Sequence, residues 1–213
     1  KQYRSLGELF ERCAAEFADH AAYSNMGRTL TFGEVDRLTR NVGAWLQSKG
    51  LSPGARLAVM LPNCLQYPVF MFGVLRAGFT VVNVNPLYTA RELEHQLKDS
   101  GAEGIVVLEN FAHILQSVLP HTAVRHVVVA SLGDLLGSRG WLVNLVIRHV
   151  RKMVPAWHIP GAIRFNAMLS EGARLPLKPS EAGPEDIAFL QYTGGTTGLA
   201  KGAMLLNRNI LAN

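Results

Sequence analysis

The 213 residues suffice for one large or two small domains, and 48% apolar with 17% charged is a globular composition, which excludes a collagen, a coiled coil and a solvated tail. Lys and Arg total 21 against 16 Asp and Glu, and +4 of the net +5 falls between Ser131 and Phe165, where Arg139, Arg148, Arg151, Lys152 and Arg164 face only Asp134. Charge gathered so locally argues against a nucleic-acid-binding face and for one anionic contact, such as a lipid surface. Cys13 and Cys64 stand alone, without a disulfide framework or a CxxC metal clip, so a reducing, cytoplasmic compartment is expected. The opening KQYRSLGELF has neither an initiator Met nor a signal pattern and reads as an excerpt whose start is missing. The most apolar stretch, Val69 to Val84, is broken by Arg76 and Asn83 and headed by Pro68, whereas a membrane span needs about 20 mostly apolar residues.

Three capping boxes mark helix starts, because a Ser or Thr and a Glu three positions on satisfy each other's backbone N–H. Ser5 with Glu8 opens a helix whose Leu6, Leu9, Phe10, Cys13 and Phe17 share a face. Thr31 with Glu34 opens one that buries Val35, Leu38, Val42, Trp45 and Leu46 and stops at Gly50. Thr89 with Glu92 opens a third that ends near Ser100 and Gly101. Strands are predicted near Arg56 to Leu61, Phe79 to Val84, Gly104 to Leu108 and His126 to Ala130, with helices at about 65 to 78, 89 to 99 and 110 to 119 between them. Val- and Ile-rich runs separated by amphipathic helices indicate an α/β fold with a mostly parallel sheet covered on both faces. It occupies residues 1–175.

The rhythm breaks after Ser131. A helical projection of Trp141 to Val154 gathers Asn144, Arg148, Arg151 and Lys152 on one stripe, with Leu142, Val143, Val146, Ile147, Val150, Met153 and Val154 opposite. The basic segment 139–157 reads either as a helix at an anionic membrane interface, with Trp157 at the boundary, or as an ordinary helix packed on the sheet with its charged face solvated. PLKPSEAGP, from Pro176 to Pro184, is a loop, since its three prolines withhold backbone donors; residues 176–186 therefore separate the α/β part from the last segment, 187–213.

That last segment carries the chemistry. An apolar strand, Ile187 to Tyr192, runs into Thr193, Gly194, Gly195, Thr196, Thr197 and Gly198, then Lys201 and Gly202, then a second apolar strand, Ala203 to Leu206. Glycines bring backbone amides close to a ligand, while three threonine hydroxyls and an ammonium add donors, a combination that suits a polyphosphate. A Walker loop needs Gly directly before the Lys and Ser or Thr directly after; here Ala200 and Gly202 hold those places. A strand follows instead of a helix, so loop amides, hydroxyls and Lys201 must hold the phosphates, without a helix dipole as main source. The bland alternative is a Gly/Thr turn between two buried strands.

YTGGTTGLAKGAM resembles the phosphate-binding signature of the AMP-forming adenylating enzymes, which include acyl-CoA synthetases, luciferases and peptide-synthetase adenylation domains. LQYTGGTTG with KGAML, and VNVNPLYTARELEHQLKDSGAEGIVVLENF before it, resemble the bacterial long-chain fatty-acid CoA ligases, and the similarity extends through VNLVIRHVRKMVPAW and IPGAIRFN to essentially the whole chain. Those ligases commonly read Thr-His where this chain has Leu206 and Asn207, a position expected near the acyl or adenylate pocket. Asn207 is expected instead to cap a helix starting at Arg208.

The resemblance implies the opening portion of a large N-terminal adenylation domain, inactive by itself, with the adenine and ribose contacts, the C-terminal domain and a second lysine lying downstream. It implies ATP, Mg²⁺ and CoA, with a long-chain fatty acid as the substrate to be activated through an acyl-adenylate. Thr193 and Lys201 are the candidate catalytic residues, and Thr193 is the hydroxyl nearest Mg²⁺. Tyr192, Thr193, Gly194, Gly195, Thr196, Thr197, Gly198, Lys201 and Gly202 form the candidate nucleotide contacts. Peripheral contact with an anionic membrane through Trp141–Trp157, on the inner face of the cytoplasmic membrane, is expected as a partner surface; nucleic acid is not, and a homodimer is left open. The alternatives are an adenylating relative acting on aryl or amino acids, or a non-catalytic nucleotide- or membrane-binding module. The seven histidines lack ligand spacing, Glu92, Glu94 and Asp99 read as a solvated helix face, and the absence of a GxSxG elbow disfavours a hydrolase.

Overall fold

The computed structural model describes residues 3–193 and 200–212. Helix α1 (Leu6–Glu16) is followed by a β1–β2 hairpin (Ala21–Asn25 and Arg28–Thr31) and α2 (Phe32–Gln47). The doubly wound part alternates β3 (Arg56–Met60), α3 (Gln66–Arg76), β4 (Thr80–Asn83), α4 (Ala90–Ser100), β5 (Gly104–Leu108), α5 (Ala112–Val118) and β6 (His126–Ala130). After it come α6 (Gly140–Leu145), a π-helical turn (Val146–Val150), β7 (Ile163–Arg164) and α7 (Phe165–Gly172). The chain returns as β8 (Ile187–Thr193), β9 (Lys201–Leu206) and the short α8 (Asn207–Leu211).

Seven strands form one sheet in the order β7-β6-β5-β3-β4-β8-β9, parallel throughout except for the antiparallel β8–β9 pair. Side chains alternate across it. Leu57, Val59, Val81, Val106, Leu108 and Val128 meet α1, α2, α3 and α7 on one face, while Ala58, Met60, Val82, Ile105, Val107 and Val129 meet α4 and α5 on the other. Burial on both sides is why these strands read as unbroken apolar runs.

The Thr31–Glu34 and Thr89–Glu92 capping boxes form in full. The Ser5 box forms by half: Ser5 Oγ accepts from the Glu8 amide, but the Glu8 carboxylate turns to the amide of Arg4. Of the predicted stripe on α1, Phe10 is core and Leu6 packs against it, but the buried face is completed by Gly7 and Ala14, and Phe17 is left 40% exposed. The reason is close approach: a Cβ on Gly7 would stand 3.2 Å from the Leu75 carbonyl oxygen, so α1 lays its small residues on α3. The second helix ends at Gln47, before the expected Gly50, which follows it at φ +69°. The β1–β2 hairpin and α7 were not anticipated. The hairpin turns through Met26 and Gly27, both at positive φ, without the Asn-Gly or Asp-Gly pair that would have announced it.

The segment after Ser131 departs most from expectation. Its helix is broken into α6 and one π turn, and Lys152 closes it in the left-handed region at φ +49°. Of the predicted basic stripe, Asn144 and Arg148 point at the protein rather than at solvent. Asn144 Oδ1 accepts from the Gly133 amide at 2.7 Å, and Arg148 forks onto the buried Glu109 with Nε and Nη2 at 2.8–3.1 Å. Trp157 is half-buried, with the Arg164 guanidinium 4.8 Å from its ring. Among the described residues no helix is long and apolar enough to cross a membrane.

Candidate active site

Strand β8 runs parallel to β4 and ends at Thr193, at the carboxyl edge of the sheet, where ligands of open α/β sheets bind. Strand β9 returns from it antiparallel, with Tyr192 opposite Gly202 and Thr193 opposite Lys201. The predicted phosphate loop is thus the connection of a hairpin, and no helix follows it directly. Thr193 and Lys201 are both exposed at its mouth. Gly194, Gly195, Thr196, Thr197 and Gly198 lie outside the described residues. One expectation is corrected: β9 is the sheet's edge strand and is only partly covered, with Met204 at 66% exposure, so the loop does not join two buried strands.

Helix α4 braces both stems of the hairpin. Tyr192 is buried and its hydroxyl donates to Asp99 Oδ2 at 2.6 Å. Burial, and then the neighbouring carboxylate, hold that phenol well above its ordinary range. His95 Nε2 lies 3.3 Å from the carbonyl oxygen of Ala200, the last described residue before Lys201. Gly202 lets the Tyr192 ring lie against β9, since a Cβ there would stand 2.9 Å from Cζ. Asp99 and His95 were missed because an exposed helix residue bonded to a distant strand leaves no periodic signal. The pointer was Tyr192 itself, a phenol on an apolar strand that needs a partner when buried.

Beside β8 a polar ladder crosses the same edge. Tyr67 Oη donates to Asn83 Oδ1 at 2.8 Å, Asn83 Nδ2 donates to Gln191 Oε1 at 2.8 Å, and Gln96 Nε2 donates to the Asn83 carbonyl at 2.7 Å. It holds β4, β8, α3 and α4 at fixed separation next to the hairpin mouth. By contrast, a cleft of about 860 Å³ lies at the opposite end of the strands, lined by residues such as Gly54, Arg56, Thr80 and Ile187, and is no part of this site.

The sequence matches the AMP-binding enzyme family over residues 10–213. The chain belongs to that family. It is 53% identical, over its whole length, to a long-chain-fatty-acid–CoA ligase of Escherichia coli O157:H7, and 36% identical over 99% of its length to one from Bacillus subtilis (strain 168). It spans 38% of the length of each of these curated relatives. Among solved structures, a long-chain-fatty-acid–CoA ligase from Archaeoglobus fulgidus superposes over the whole chain and 39% of its own, at 25% identity and a TM-score of 0.74. An anthranilate CoA ligase in complex with anthranoyl-AMP, 22% identical, covers 98% of the chain and 36% of its own with a TM-score of 0.78, and so shares the fold.

Leu206 and Asn207, where the chain departs from the resembled ligases, have defined places in the fold. These residues sit beside Ile187, at the far end of β8 from Thr193, so they do not neighbour the hairpin mouth. Asn207 is buried and does not cap α8: its Nδ2 donates to the carbonyls of Gly183 and Asp186, and its Oδ1 accepts from the Leu6 amide. It ties the loop before β8 to the start of α1.

Proposed function

We propose that the enzyme carrying this chain converts long-chain fatty acids to acyl-CoA through an acyl-adenylate. The observation that carries the reading is the hairpin mouth, Thr193 opposite Lys201 at the carboxyl edge of a parallel sheet, in a chain half identical to fatty-acid CoA ligases. A fatty-acid carboxylate oxygen attacks the α-phosphorus of ATP, the bond to the bridging oxygen breaks, and pyrophosphate leaves. The CoA sulfur then bonds to the acyl carbon, its proton passes to solvent, and AMP departs. Adenylation is needed because a carboxylate itself would have to expel oxide.

In the first step negative charge grows on the departing pyrophosphate, and preorganised donors that meet it lower the barrier. Lys201, with Thr193, Thr196, Thr197 and the amides of Gly194, Gly195 and Gly198, fills that role in this reading. Tyr192 and Gly202 support the stems. Mg²⁺ would neutralise phosphate charge, and the exposed hydroxyl of Thr193 would be one protein donor to it. Peripheral contact with an anionic membrane through Trp141–Trp157 would place such an enzyme where its substrate partitions.

Fatty-acid-dependent exchange of labelled pyrophosphate into ATP tests the activity, and Lys201→Ala tests the site. The expected result is a loss of exchange much larger than the loss of fatty-acid binding. Equal losses in both would remove Lys201 from phosphate binding, and exchange triggered by aryl or amino acids in place of fatty acids would favour the sister reading.

A further inference from the structure

The exposed apolar side chains of this molecule are not scattered. Among the described residues ten large apolar side chains are exposed, and five of them, Trp141, Leu142, Leu145, Val150 and Met153, fall within one 13-residue stretch. Trp141 and Val150 are 67% and 68% exposed, so about two-thirds of each faces water. Single exposed apolar residues are ordinary, but a contiguous group marks a contact.

The cause of this orientation is polar. Glu109 is 1% exposed and accepts three hydrogen bonds from Arg148 and one from Arg164 at 2.9 Å, while Arg148 Nη2 also reaches Ser131 Oγ at 2.8 Å. Asn144 takes the Gly133 amide on the same inner side, and the Met153 carbonyl accepts from Asn110 Nδ2 at 3.0 Å. An amphipathic helix ordinarily turns its apolar stripe inward. Here the polar groups of the inner side are consumed by the body of the protein, and the apolar row is turned out.

We infer that Trp141, Leu142, Leu145, Val150 and Met153 insert into the surface of an anionic bilayer, with Arg139, Arg151 and Lys152 on the headgroups around them. Charge selects this occupant. The three basic side chains are exposed, and no acidic residue lies between Asp134 and Glu171 in the sequence, so the segment that carries the apolar side chains is itself purely basic. A second copy of the chain is a poor fit, because a self-complementary contact would bring two surfaces of the same positive sign together. The inference deepens the proposed membrane contact and rests on it, but it reverses the balance: insertion of the apolar row supplies the grip, and the basic rim supplies the preference for negative lipid.

The test is sedimentation of the intact enzyme with vesicles of neutral phospholipid, alone and with a third anionic lipid. The variants are Leu145→Ser/Val150→Ser and Arg151→Gln/Lys152→Gln, with thermal midpoints and pyrophosphate exchange on a short, water-soluble fatty acid recorded in parallel. The apolar double variant is expected to lose at least tenfold in partitioning on both vesicles with its midpoint unchanged. The basic double variant loses only the preference for anionic lipid. Sedimentation unchanged by the apolar variant, together with a lowered midpoint, would mean that another part of the protein covers the row; a shift to a smaller assembly would assign it to a second copy. Either outcome overturns the proposal. Exchange in solution separates the two readings, since its absence in the unaltered enzyme refutes the ligase reading whatever the vesicles show.

Discussion

The Tyr192 hydroxyl donates to the Asp99 carboxylate at 2.6 Å, so the last buried residue of β8 is held from α4 one position before the hairpin mouth at Thr193. Thr193 is positioned by that bond together with its ladder pairing to Lys201, since its side chain is exposed. Tyr192→Phe, and Asp99→Ala from the other side, should each lower stability by about 1–2 kcal/mol, measured by urea titration. KM for ATP should rise by about threefold or more while kcat changes less, because a loosened frame weakens nucleotide positioning before it weakens chemistry. Asp99→Asn keeps an acceptor and should restore most of both.

Gly202 and Tyr192 are fitted to each other. A methyl group at position 202 would sit 2.9 Å from Tyr192 Cζ, and the ring cannot swing aside without giving up Asp99. Gly202→Ala is therefore expected to cost about 1–3 kcal/mol. Combined with Tyr192→Leu, which vacates the space, the two changes should be less than additive in a double-mutant cycle read by thermal unfolding.

Glu109→Ala removes the shared partner of Arg148 and Arg164. A fully buried pair broken in this way loses about 3–5 kcal/mol, but these arginines are 36% and 49% exposed and can rehydrate, so about 2 kcal/mol is expected. Proteolysis under native conditions should move to residues 139–157 in the variant, since the clasp is what pins that segment to the sheet.

The capping box of α2 predicts an acid limb. The Thr31 amide, against a smaller opposing effect of burial and with help from Arg28, holds the Glu34 carboxyl below its usual value of 4.5. A group whose native pKa is depressed contributes stability that is complete above its unfolded pKa and disappears as pH falls through the native one. Stability should therefore decline below about pH 4.5 in part through Glu34. Glu34→Gln, which can still reach the Thr31 amide, should flatten that part of the decline in acid-unfolding curves.

Much of the core was legible in the primary structure. Strands β3 to β6, the helices between them and two complete capping boxes follow from local rules, because a twice-buried strand must be continuously apolar and a helix start must satisfy its own amides. The Gly/Thr/Lys motif stood out as well, since small and donor-bearing residues at fixed spacing are what a phosphate site would require. Orientation was not. Whether Arg148 faces solvent or Glu109, whether Phe17 is core or rim, and where Tyr192 finds its acceptor depend on groups 39 residues or more away in two of the three cases, and on the approach of α1 to α3 in the third. Periodicity shows that a helix has two faces. Only the assembled molecule, by supplying or withholding partners for the polar side, decides which of them meets water.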